Sequence, residues 1–187
     1  MKNKSIQIII ASLLIVLAAI SRVLLYPENP SPIIGMALFA GAVLTNKRYA
    51  FALPLFAMLL SDIIFEVSGI APGFWGISQV SGYVILGLIT ILAFSIQKIT
   101  IPKIIGYSLL SSVLFFILSN LSVFLIDNRV YHLYTQDWAG LKQCYIMALP
   151  FFKAGVIADL AYSAVLFGSY YLLNHFVINP QHRVAQP

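Results

Sequence analysis

Charge, cysteine and nucleotide-binding glycine motifs are all scarce in this sequence, and each shortage removes a class of protein. Charged residues make up 9% of the 187 positions, against about 25% in an ordinary soluble domain. With 60% hydrophobic residues and a mean hydropathy of +0.93, the composition suits a lipid bilayer. Length alone would allow one or two soluble domains; here it reads as a single bundle of spans. The lone Cys144 cannot form an internal disulfide, which excludes a disulfide scaffold. There is no glycine-rich loop ending in Lys-Ser/Thr, no HExxH and no cysteine pair at metal spacing. ATP hydrolysis therefore has no visible means, and no metal or other cofactor is expected. His132, His175 and His182 are dispersed without a shared helical face, and no nucleophile–base pair marks an enzyme. The formal charge of +5 would invite a nucleic-acid partner. Its basic residues, however, lie in ones and twos between apolar runs, a pattern of membrane topology rather than of a binding patch.

What is present is a series of apolar runs. Measured against about 20 residues for a bilayer crossing, they predict an all-α membrane protein with six transmembrane helices in one bundle, near residues 6–25, 32–45, 49–65, 76–96, 104–126 and 154–177. The second run, PIIGMALFAGAVLT, is the shortest. Before the last span, AGLKQCYIMALPFF reads as a short interfacial helix ended by Pro150. The closing RVAQP reads as a frayed tail. The N-terminus, MKNKSIQIIIASLLIVLAAIS, has the basic start and apolar core of a cleaved signal peptide. Its apolar character continues past Arg22 into VLLY, and the rest of the chain is itself apolar, which favours a retained first span.

Lysine and arginine positions set the expected orientation. With the N-terminus in the cytoplasm, the inner segments carry Lys2, Lys4, Lys47, Arg48, Lys98, Lys103 and Arg183, with no acid. All six acids fall on the outer side, in agreement with the positive-inside rule. The expectation is a bacterial inner-membrane, multi-pass protein with both termini cytoplasmic.

Within the third run, PLFAMLLSDIIFEVSG places Asp62 and, one turn later on the same face, Glu66 inside an apolar stretch. At a rise of about 1.5 Å per residue, Asp62 lies roughly 20 Å above Arg48, Arg22 roughly 27 Å above Lys4, and Asn120 about 25 Å above Lys103. Asp159 descends about 9 Å from Lys153. Four helices are thus expected to bring polar groups to one outer level. Charged groups within spans are rare and normally face a bundle interior or a hydrated cavity. Three readings stay open for this layer: structural pairing of Arg22 with Asp62 or Asp159, the floor of an outward-facing solute pocket, and a proton relay. The aromatic loops GFWG, with Phe74 and Trp75, and YHLYTQDW would overhang such a pocket or form an interfacial belt. Small-residue stripes occur at Ala154, Ala158, Ala161 and Gly168, and at Ala37 and Gly41. They read as close helix packing or as a docking face. Ser108, Ser112, Ser119 and Ser122 form a comparable stripe. Cys144 reads as a packed apolar cysteine or a soft ligand.

The stretches NPSPIIGMALFAGAVLTNKRYAFALPLFAMLLSDII, LLSSVLFFILSNLSVFL and YIMALPFFKAGVIADLAYSAVLFG resemble an uncharacterised family of small bacterial integral membrane proteins. That family is distantly similar to the substrate-binding S components of energy-coupling-factor transporters. The resemblance implies a six-helix bundle that captures a vitamin-like or metal-related micronutrient near its outer face, working with a transmembrane partner and two ATPases. The docking pattern of that class, Ala-xxx-Ala in the first helix, is absent here, because Ala11 is followed four residues later by Ile15. The expectation is a membrane-embedded solute-binding subunit whose pocket is lined or braced by Arg22, Asp62, Asn120 and Asp159, with Glu66 and Trp75 near the mouth. The alternative is a non-transporting scaffold or assembly protein of the cell envelope.

Overall fold

An 11-residue helix, IIGMALFAGAV, forms the centre of the structure, because it is apolar on every face and the other helices cover it. A helix hydrophobic all round must be buried, and Ile34 to Gly41 are buried without exception. The computed structural model describes residues 2–26, 31–74 and 76–178. Its helices are α1 (Lys2–Leu24), α2 (Ile33–Val43), α3 (Lys47–Ser68), α4 (Ser78–Ala93), α5 (Ile101–Ser122) and α6 (Trp138–Leu173). A π turn, Val123–Asp127, and a last α turn, Asn128–Tyr131, prolong α5; a second π turn, Asn174–Ile178, prolongs α6. No strand occurs among the described residues. The central α2 touches all five other helices.

Local chemistry sets several boundaries. The Asn46 side chain accepts the Arg48 N–H at 3.0 Å and starts α3. Gly69 ends it with a left-handed φ of 67° and an N–H bonded to the Phe65 carbonyl. Asp137 caps α6 by accepting the Gly140 N–H at 2.8 Å. Thr100 precedes a first turn carrying Pro102, where the missing N–H is harmless.

Cross-helix bonds show that the six helices alternate in direction. Arg22, near the end of α1, meets Asp62, late in α3, so α1 and α3 run parallel and α2 returns between them. Gln79 at the start of α4 bonds Asp62, and Ser122 at the end of α5 bonds Ser81 of α4. Ser112 and Ser108 of α5 meet Asp159 and Ser163 of α6. Gln7 of α1 donates to Asn174 at 3.4 Å, so the start of α1 and the end of α6 share one end of the bundle.

Four helical runs are long and apolar enough to cross a membrane: Ser5–Leu24, Lys47–Ser68, Ile101–Tyr131 and Trp138–Phe176. Their outward faces are apolar, with Leu17, Phe56, Val67, Val113 and Val165 exposed, as in a membrane protein. The expected second and fourth spans are shorter than the sequence pattern predicts. At about 1.5 Å per residue α2 rises only about 16 Å and α4 about 24 Å. α2 is enclosed by other helices, whereas α4 packs on it and leaves an apolar face exposed at Val80, Val84, Leu88 and Ile91. Close approach does the fixing. A Cβ on Gly41 would sit 2.6 Å from the Ala93 Cβ and the Thr90 carbonyl of α4, so the Ala37–Gly41 stripe is internal packing.

The interfacial helix expected to end at Pro150 is absent. Instead α6 runs unbroken for 36 residues through Pro150. Proline deletes one ladder bond and crowds the preceding turn, but α5 braces both sides of it. The Phe116 ring contacts Tyr145 before the proline and Phe152 after it, at centroid distances of 5.6 and 4.5 Å. The Tyr145 hydroxyl also donates to the Ile117 carbonyl at 2.7 Å. Helix continuity here is a product of the α5–α6 contact.

Candidate functional site

Both carboxylate oxygens of Asp62 are hydrogen-bonded across helices. One oxygen accepts the Arg22 guanidinium at 2.5 Å, and the same Arg22 nitrogen reaches the Ser61 hydroxyl. The other oxygen accepts Gln79 Nε2 at 2.9 Å and the Tyr83 hydroxyl at 2.7 Å. Ser61 passes its own proton to the Met58 carbonyl at 2.7 Å, leaving its lone pairs for Arg22. The guanidinium also lies 5.2 Å from the Phe65 ring centroid. Asp62 is 1% exposed and the Arg22 side chain 12%. A charged Asp deep in a span costs about 2.5–3.5 kcal/mol on insertion scales. Hydrogen bonds to a charge contribute about 1.5–3 kcal/mol each, so Gln79 and Tyr83 together with the ion pair offset that cost. The result ties α1, α3 and α4 together at one end of the bundle.

The loop after α3 is seated on this network. Glu66 accepts the backbone N–H groups of Gly73 and Phe74 at 3.0 and 3.3 Å, while Gln79 also donates to the Gly73 carbonyl at 2.9 Å. Gly73 is required by proximity: a Cβ there would fall 1.9 Å from the Asp62 carbonyl oxygen. Glu66 therefore holds the loop. Trp75 lies outside the described residues. Phe74 is exposed, and the Tyr26 ring lies tilted against Phe65 at 5.5 Å, beside the guanidinium.

Asp159 occupies a different place. It is 4% exposed between α5 and α6 and bonds the Ser112 hydroxyl at 2.7 Å. Ser112 is also 2.9 Å from the Ser108 carbonyl, and Ser163 donates to the Ser108 hydroxyl at 3.3 Å. Among the described residues the one salt bridge is Arg22–Asp62, so no cation pairs with Asp159 there. Consecutive residues of α1 reach different helices. Ser21 bonds the Tyr162 hydroxyl of α6 at 2.7 Å, and Arg22 bonds Asp62 of α3.

Asn120 departs from the expected common layer. Its amide donates to the Phe116 carbonyl of its own helix at 2.8 Å, and its backbone carbonyl faces the Cys144 thiol at 3.6 Å. Ser112, the partner of Asp159, is eight residues further down α5, about 12 Å along the axis. The single polar level is thus divided into an Arg22–Asp62 network, an Asp159–serine cluster and a self-bonded Asn120. Spacing along each helix was a fair guide to height for Arg22 and Asp62. It carried no information about azimuth, which decides partners.

Ser61, Gln79 and Tyr83 were missed. Gln79 and Tyr83 stand at i and i+4 on α4 and mirror the Asp62–Glu66 spacing on α3, a signal that could have found them. A cavity of about 50 Å³ lined by Gln7, Ile8, Val43, Leu44, Thr45 and Tyr170 lies at the opposite end of the bundle from Asp62. It has room for water, against roughly 300–1,000 Å³ in pockets for drug-sized ligands. No group of three or more His, Cys, Asp or Glu among the described residues is placed to hold a metal ion.

Outside the spanning helices, two groups have shifted acidities. Backbone donation from Gly140, aided by the Thr135 hydroxyl, holds the Asp137 carboxyl below its ordinary value. Burial pushes the Tyr134 phenol up, with Cys144 adding to the effect.

The chain belongs to a family of unknown function, DUF6580, whose model matches residues 2–182. No curated protein and no solved structure compared with the chain matches it.

Proposed function

We propose that this protein is a bacterial inner-membrane solute-binding subunit for micronutrient uptake, in the manner of transporter S components, seen with its outer end closed. The observation that carries the reading is the buried Arg22–Asp62 network, built from three helices and covered by the loop that Glu66 and Gln79 hold in place. Ionisable groups inside spans normally serve a solute or ion path. A network capped by one short loop is suited to alternate between covered and open. In this reading the basic inner loops keep both termini cytoplasmic, and release of the segment carrying Gly73 and Phe74 exposes Gln79, Tyr83 and Asp62 to a small polar solute.

A specific observation favours a second reading, a non-transporting scaffold. Both oxygens of Asp62 are already engaged, and Ala11 and Ile15 of α1 are fully buried. The face of α1 that docks S components on their partner is therefore turned inward here.

Mass spectrometry of small molecules retained by the protein in mild detergent separates the two. The uptake reading expects a compound enriched over an unrelated membrane protein and lost from Glu66→Gln and Gln79→Leu, both still inserted in the membrane. A stable protein partner with no enriched small molecule, or retention unchanged in both variants, refutes it.

A further inference from the structure

We propose that the end of the bundle opposite Asp62 binds an anionic phospholipid, with its phosphate among Lys47, Arg48, Lys98 and Lys103 and its acyl chain along α5. The inference starts from charge that nothing in this region balances. All four side chains are exposed, and among the described residues the one salt bridge is Arg22–Asp62, at the other end. No acid occurs in residues 29–61 or 67–126. Along α3, Asp62 is about 22 Å from Lys47; Asp159, level with Ser112, is about 14 Å along the axis from Lys103. Neither is within reach of an ion pair.

Contacts between helices gather these cations. Lys47 Nζ lies 5.1 Å from the centroid of the Phe94 ring at the end of α4, and Phe51 of α3 packs edge-on to the same ring at 5.6 Å. The Tyr107 hydroxyl, one turn after Lys103 on α5, is 2.6 Å from the Ser95 hydroxyl. The starts of α3 and α5 are thus both pinned to the end of α4, and Lys98 follows in the turn between α4 and α5. Lys47 is held by an aromatic face rather than by a carboxylate, which leaves ammonium N–H donors for an outside acceptor.

The surface beside the cations distinguishes a lipid from a free anion. Gly106, Leu110, Val113 and Ile117 follow Lys103 at i+3, i+7, i+10 and i+14, which puts them on its face of α5, and all are exposed. Nothing lies within 4 Å of a Cβ placed on Gly106, so this apolar stripe begins with a notch next to the ammonium. Ile117 is about 21 Å from Lys103 along the axis, enough to accompany a chain through one leaflet, half of a core about 30 Å thick. A water-soluble phosphate compound would leave the stripe unused. Placement in the cytoplasmic leaflet rests on the orientation proposed above, whereas the binding itself is tested without any transported solute.

The test is native mass spectrometry of the full chain in mild detergent, titrated with dioleoyl phosphatidylglycerol, dioleoyl phosphatidylcholine or dihexanoyl phosphatidylglycerol. The expected result is that the long-chain phosphatidylglycerol binds more tightly than either of the others. Its affinity should fall about fivefold in each of Lys98→Gln and Lys103→Gln and stay unchanged in Lys142→Gln, near the start of α6 at the opposite end. Lys98 stands in an exposed turn, so its variant decides if one at a helix start fails to fold. Equal affinity for phosphatidylglycerol and phosphatidylcholine overturns the proposal, as does a loss in Lys142→Gln as large as in Lys98→Gln. Displacement of the lipid by glycerol 3-phosphate, or equal binding of the dihexanoyl form, overturns it in favour of a soluble phosphate compound. A copurified acidic protein that must be removed before lipid binds overturns it in favour of a protein partner.

Discussion

Neutralising Asp62 should destabilise the protein far more than an average substitution, and the structure supplies both the size and the probe. In Asp62→Asn the Arg22 guanidinium keeps Ser61 but loses its counter-charge, and Gln79 and Tyr83 lose a charged acceptor. Removing one member of a buried ion pair costs about 3–5 kcal/mol, since the other is left uncompensated. For a chain of 187 residues each kcal/mol moves Tm by about 2–4 °C, so the midpoint should fall by about 6–20 °C. Arg22→Gln should cost a similar amount. The double variant should melt no lower than the worse single one, because neutralising both partners leaves no orphaned charge. Cys144 makes the assay direct: it is the single cysteine, 2% exposed, and sits on α6 rather than on either substituted helix. A maleimide dye should therefore label it only as the bundle opens on heating. Singles within about 2 °C of the parent, or a double variant showing the full sum, would refute the assignment of a buried, coupled pair.

Two further outcomes follow from close contacts and capping. Gly41→Ala should lower Tm through overpacking worth about 1–3 kcal/mol, because its Cβ meets α4 at 2.6 Å. Gly106→Ala, with nothing within 4 Å, should be neutral or slightly stabilising by the same thiol assay. Asp137 has a depressed carboxyl, so the stability it lends to the start of α6 is present above the unfolded value of about 3.9 and lost as pH falls through the folded one. Hydrogen exchange at the Gly140 amide should therefore stay slow near pH 7 and lose its extra protection below about pH 4. In Asp137→Asn that acid-dependent step should vanish.

Much of the candidate site was legible one helix at a time. Asp62 and Glu66 stand out against an apolar run, and counting residues from the nearest basic loop placed Arg22 and Asp62 at matching heights. The serine stripe of α5 was visible too, but its use was not: Ser108 and Ser112 turn to α6, Ser122 to Ser81 of α4, and Ser119 back to its own helix. Those choices depend on rotation about the helix axis, and a lone sequence does not fix how helices rotate against each other. The loop clamp was hidden for a related reason. Glu66 and Gly73 meet only because a left-handed Gly69 folds the chain back over α3.

Taken alone, the order of residues determined the medium, the helical class and the abundance of apolar surface, because backbone polar groups in lipid must be bonded within a helix. It also determined the small set of charges that would need partners. The tertiary structure decided which partner each charge found: Asp62 gained a cation and two donors, whereas Asp159 gained a hydroxyl. It decided as well that α2 is an enclosed pillar rather than a full-length span, and that Pro150 interrupts nothing. Each of these follows from contacts between helices distant in sequence. Such contacts are set by side-chain packing around the bundle axis, which no periodicity along one helix records.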